Sequence, residues 1–121
     1  MQDQETVISL ARLLYDRKAQ DIVALNVSHL TVLCDYMLIA SGRTASQVSA
    51  LADAVEERMS QENMLLRRSE GIKDGKWAVM DYGNLIVHLF HRDDRSFYGL
   101  DRLWSDGTNM LDLPFDQTSP D

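Results

Sequence analysis

The residues able to do chemistry are few. The only histidines are His29, His88 and His91, and the single cysteine is Cys34. Asp81 and His88 interrupt two largely apolar segments on either side of Gly83-Asn84 in WAVMDYGNLIVHLF, residues 77–90. A carboxylate and an imidazole can serve proton transfer or metal ligation if they converge. Nothing in the spacing makes them converge: His88 and His91 cannot share a strand face, and Asp93 and Asp94 lie in an expected turn. No metal site is expected, and His88 reads as a partly exposed surface residue opposite Val79. Ser41-Gly42-Arg43 stands between a strand and a capped helix, where backbone N–H groups can cradle a phosphate. There is no GxGxxG, GxxxxGK[ST] or GxSxG pattern, so a tight strand-to-helix turn is the preferred reading. Cys34 allows no internal disulfide and no CxxC pair, which fits a reducing compartment, and reads as a small buried apolar residue. No cofactor is implied.

The scaffold that must hold these residues is small. The chain has 121 residues, 45% of them hydrophobic, which gives one domain able to build one core without disulfides or a structural metal. Twelve Lys and Arg against 19 Asp and Glu leave a net charge of −7. That excludes a free-standing nucleic-acid binder, which needs clustered cations to displace phosphate counterions. It leaves room for a basic protein partner, including one inside a nucleic-acid machine. The start MQDQET lacks the basic and apolar regions of a signal peptide, and no apolar stretch is long enough for a membrane span, so a cytoplasmic protein with no membrane partner is expected.

Along the chain, Val7, Leu10, Ala11 and Leu14 predict an amphipathic helix over 6–18, with Arg17 and Lys18 in its last turn. DIVALNV (21–27) and DYMLIAS (35–41) predict strands joined by 28–34, and Gly42 ends the second. Thr44-Ala45-Ser46-Gln47 is a capping-box pattern ahead of a helix carrying Val48, Leu51, Ala52, Val55 and Met59, with Asn63 as its stop. MLLRRS (64–69) predicts a short strand and EGIKDGK (70–76) a charged loop. Residues 77–91 predict a hairpin around Gly83-Asn84, and RSFYGLDRLW (95–104) a short helix capped by Asp93 or Asp94. The domain is expected to span 1–105, with an acidic tail over 106–121 that frays or wraps loosely. The fold class expected is α/β (α+β): a mixed sheet of about five strands with helices packed mainly on one face.

A two-residue turn at Gly83-Asn84 sets Tyr82 against Leu85, Asp81 against Ile86, Val79 against His88 and Trp77 against Phe90. One face then carries Ala78, Met80, Tyr82, Leu85, Val87 and Leu89 and meets the helices. The other carries Trp77, Val79, Asp81, Ile86, His88 and Phe90. A covered layer would rarely seat Asp and His, whereas an open one exposes a contiguous apolar patch of the kind that binds a protein. The alternative is that the tail or the C-terminal helix covers it.

Several segments resemble one family: DYMLIASG (35–42), Gln47-Val48 with Ala50 to Val55, Glu70-Gly71, WAVMDYG (77–83) followed by VHLF (87–90), and RSFYGLDRLW (95–104). Over residues 6–106 the chain is similar to the ribosomal silencing factor (RsfS, or Iojap-like) family. The resemblance implies a nucleotidyltransferase-like fold without the catalytic carboxylates. Such transferases hold metal ions with two carboxylates one residue apart on a strand. Here Gly83 follows Asp81 two positions on, and Met37 follows Asp35. The resemblance further implies binding to the large ribosomal subunit through ribosomal protein L-fourteen, and a steric block to joining of the small subunit that lowers translation under nutrient limitation or in stationary phase. On that reading Trp77, Tyr82 and Phe90 are apolar anchors, Asp81 pairs with a basic residue of the partner, and Val79, Ile86 and His88 complete the surface. Tyr82 reaches it only from the rim. Two other readings stand beside this: a small nucleotide- or phosphate-binding enzyme using Ser41-Gly42-Arg43, and a homodimeric adaptor that hides the Trp77 face against a second copy.

Overall fold

The computed structural model of the chain describes residues 3–93, 99, 103–115 and 117. Helix α1 (Asp3–Asp16) buries Val7, Leu10, Ala11 and Leu14, the stripe set by its apolar spacing. It ends before Arg17 because Lys18 turns left-handed (φ 72°). The Lys18 N–H then donates to the Tyr15 carbonyl (3.0 Å) and the Ala19 N–H to the Leu14 carbonyl (2.9 Å), a Schellman closure. The two cations therefore lie beyond the last turn.

Strands β1 (Gln20–Asn26) and β2 (Tyr36–Gly42) follow, then helix α2 (Ala45–Gln61). Thr44 caps α2 as its sequence predicts, its hydroxyl accepting the Gln47 N–H at 3.0 Å. Gln47 does not return the bond to Thr44. Its Oε1 takes the Arg43 N–H (2.6 Å) and its Nε2 donates to the Lys18 carbonyl (3.1 Å), tying the start of α2 to the end of α1. Asn63, left-handed at φ 60°, stops α2 with the same closure as α1.

Strands β3 (Arg68–Glu70), β4 (Trp77–Asp81) and β5 (Leu85–His91) complete a sheet of order β1-β2-β5-β4-β3. Among the described strands only the β2–β5 pairing is parallel, and the crossover that a parallel pair requires contains α2. The two helices share one face, over a core built from their apolar stripes with Ile22, Ala24, Leu38, Ala40, Ala78, Met80, Val87 and Leu89. This is the mixed five-stranded α+β architecture expected from the sequence.

Two differences are larger than the one- to three-residue shifts at the ends of α1, β1 and β2. β3 starts four residues later than predicted: Met64 and Leu66 turn into the main core while Leu65 is exposed, and pairing begins only where the Arg67 N–H reaches the Asp81 carbonyl (2.8 Å). All three β3 residues are exposed, including Arg68 and Glu70, and charge suits an unpaired edge. The tail is the larger correction. Over its described residues it lines the β1 edge: the Asn26 N–H donates to the Asn109 carbonyl (2.9 Å) and the Leu111 N–H to the Ala24 carbonyl (2.8 Å). Leu111, Leu113 and Phe115 pack on the main core, and Phe115 stacks on Tyr15 with centroids 4.4 Å apart. The alternation of those three apolar residues is a strand-like signal that the acidity of the tail obscures. The helix predicted over 95–104 lies outside the described residues except at 99, 103 and 104. Residues 103 and 104 are helical, and the Leu103 N–H donates to the Gly99 carbonyl at 3.0 Å.

Candidate protein-binding face of the sheet

The β4–β5 hairpin turns at Gly83-Asn84. Gly83 alone has a positive φ there (93°), as a type II′ turn requires. The Asp81 carboxylate fixes the turn by accepting the Gly83 N–H at 2.8 Å. The register is the one that two-residue loop dictates: Trp77 faces Phe90, Val79 faces His88 and Asp81 faces Ile86. Tyr82, with Leu85, belongs to the main core, as its place on the helix side predicts. Burial pushes the Tyr82 phenol up to about 12, with Glu56 adding to the effect.

The face away from the helices is neither open nor fully covered. Parallel pairing places Met37 beside Ile86 and Ile39 beside His88. Leu25, Val27, Cys34, Met37, Ile39 and Phe90 form a second buried cluster, against which Val23, Trp77, Ile86 and Trp104 are half-buried. Trp104 is held through Asn109, whose Nδ2 donates to the carbonyls of both Trp104 (2.9 Å) and Asn26 (3.0 Å). Cover therefore comes from the C-terminal segment on the β1–β2 side of the face. Trp77, Val79, Asp81 and Ile86 keep part of their surface in solvent.

His88 corrects the expectation of a partly exposed residue. It is 7% exposed, flanked by Ile39 and Val79 in neighbouring strands and by the rings of Trp77 and Phe90. Burial lowers its pKa to about 4, so the ring is neutral near pH 7. The Trp77 indole N–H donates to its Nδ1 at 3.1 Å, which places the remaining proton on Nε2. That Nε2–H is buried with no hydrogen-bond partner among the described residues. Phe90 is 1% exposed and supports Trp77 from the sheet, the rings stacked at 5.2 Å. As anchors, Phe90 and Tyr82 are thus core residues rather than surface. The Cys34 thiol is pushed up to about 11 by burial first and then by the charges of Asp35 and Asp81. Those two carboxylates give this end of the face a negative field.

Ser41-Gly42-Arg43 is the packed end of β2 and the first residue of its turn into α2. A Cβ on Gly42 would lie 3.0 Å from Val48 Cγ2 and 3.1 Å from its nitrogen, and the Arg43 and Gln47 N–H groups are already bonded to Gln47 and Thr44. Those donors are not free for a phosphate. Two features escaped the sequence reading. Leu30, Val32 and Leu33 of the β1–β2 connection are exposed, with Val32 fully so, and three apolar residues in a turn segment were the available signal. His29 meets Asp106 at 2.7 Å, a contact across 77 positions that no local pattern reveals.

The family model described as "Ribosomal silencing factor during starvation" matches residues 1–121. Among curated proteins, the ribosomal silencing factor RsfS of Bacillus subtilis is 32% identical over 114 residues, covering 93% of this chain and 96% of the relative. The chloroplastic protein Iojap of Zea mays is 28% identical over 109 residues, which is 90% of this chain but 47% of that protein. A crystal structure of a Chromobacterium violaceum protein superposes with a TM-score of 0.81 at 32% identity, covering 99% of this chain and 98% of the other.

Proposed function

Because the chain belongs to the ribosomal silencing factor family, we propose that it represses translation by binding the large ribosomal subunit through protein L-fourteen and blocking its union with the small subunit. The observation that carries the reading is the half-covered sheet face. Trp77, Val79 and Ile86 form an apolar strip with Asp81 at its end, beside the buried Phe90 and His88. A partly exposed Trp is a usual anchor of protein interfaces. A net charge of −7, with Asp35 and Asp81 beside the strip, favours a basic ribosomal-protein surface over bare RNA. The mode of action is steric and non-enzymatic, requiring no cofactor. Light scattering of purified subunits during joining tests it: added protein lowers the yield of joined particles in proportion to its occupancy of the large subunit. Full joining at saturating protein overturns the steric block.

A further inference from the structure

We propose that His88 is a positioning residue whose Nδ1 lone pair fixes the Trp77 indole in the orientation that meets the partner, an inference that rests on the docking reading above. The indole nitrogen is a donor only, and it reaches Nδ1 at 3.1 Å. The His88 ring is itself held, lying nearly parallel to Phe90 (11° between planes, centroids 6.3 Å apart) between Ile39 and Val79. Trp77 stands at the margin of this packing, half-buried, where stacking on Phe90 sets the plane of the ring but not which edge turns outward. The N–H···N bond turns the nitrogen edge of the indole toward His88.

Packing does not account for a histidine here. A leucine would fill a 7% exposed site among apolar neighbours and would carry no stranded Nε2–H, but it would leave the Trp77 indole N–H without its acceptor. Histidine strands its Nε2–H in the core, an unfavourable arrangement for stability alone. What it supplies that leucine does not is an acceptor aimed at the indole. The same bond holds the ring in one tautomer, so orientation and tautomer are fixed together.

The test uses the full chain with two substitutions of opposite design. His88→Leu removes the acceptor, whereas His88→Asn returns an oxygen close to the position of Nδ1. Affinity for isolated large subunits is measured by sedimentation, beside the proton–nitrogen resonance and solvent exchange of the Trp77 indole. His88→Leu is expected to weaken binding about tenfold, and His88→Asn to recover most of it. In a Trp77→Phe background, His88→Leu is expected to change affinity by less than about twofold. A slowly exchanging indole N–H in the wild type and in His88→Asn supports the bond, and fast exchange in the wild type overturns it. Should His88→Leu not fold, the His88→Asn affinity and the indole exchange decide. Equal losses in both backgrounds, or no loss in His88→Leu when the wild type binds, overturn the positioning role alone. A wild type that does not sediment with the large subunit overturns the docking reading and the role built on it.

Discussion

The side chain of Gln117 pairs with the backbone of Ile22 as a strand residue would, its Oε1 accepting the Ile22 N–H at 2.7 Å and its Nε2 donating to the Ile22 carbonyl at 2.9 Å. Asp21 is left-handed (φ 50°) and the β1–β2 register shifts there, so the backbone of the tail meets β1 only further along. The amide closes the remaining gap. Replacing Gln117 with Ala is expected to cost about 1 kcal/mol and to speed hydrogen exchange at Ile22. Phe115→Ala, which removes the stack on Tyr15, is expected to cost about 2 kcal/mol in urea unfolding.

Acid destabilises the fold through His88. Its folded pKa of about 4 lies below the ordinary 6.5, so the unfolded chain takes up the proton first. Stability from this group is complete above 6.5, declines as pH falls to about 4, and changes no further below that. The loss totals about 3 kcal/mol. Asp106, held down to about 2 by its hydrogen bonds with His29 and Thr108, acts in a lower window, between the ordinary carboxyl value and about 2. Urea titrations at several pH values are expected to show the upper slope in the wild type and its absence in His88→Leu.

Glycines in the β3–β4 loop hold the start of β4 in place. A Cβ on Gly71 (φ 78°) would fall 2.0 Å from the Trp77 carbonyl oxygen, and one on Gly75 (φ 72°) 2.6 Å from the Ala45 carbonyl oxygen. Gly107 has a similar φ of 89° but open space around it. Alanine at Gly71 or Gly75 is expected to cost about 2 kcal/mol or more, against about 1 kcal/mol at Gly107. Thermal unfolding of the three variants checks the order. Gly71→Ala is expected to weaken ribosome binding as well, because it displaces Trp77.

Cys34 is expected to resist alkylation. Its thiol, raised to about 11, is almost wholly protonated near neutral pH and is 4% exposed. Iodoacetamide should leave the native protein unmodified and label it fully in urea, as read by mass spectrometry.

The hairpin was legible in the sequence because one dipeptide, Gly83-Asn84, sets the register and period-two alternation then sorts every side chain to a face. The cap on α2 was legible for the same reason: Thr44 and Gln47 interact locally. Burial of His88 and Phe90 was not, because it depends on β2 lying beside β5 and on Trp104 packing on that face. Parallel pairing across some 50 positions leaves no mark in local spacing. The tail was misread for a related reason, since its docking depends on an edge of β1 that only the assembled sheet presents. Of the predicted surface, Trp77, Val79, Asp81 and Ile86 remain accessible, while Tyr82, His88 and Phe90 lie beneath it or behind it.

The most direct measurement is co-sedimentation of the wild type, Trp77→Ala and Asp81→Lys with isolated large ribosomal subunits, each variant first shown to unfold cooperatively. The wild type is expected to pellet with the subunit, Trp77→Ala to lose about 2 kcal/mol or more of binding, and Asp81→Lys to bind more weakly through like-charge repulsion. Folded variants that pellet as well as the wild type would contradict the assignment of this face.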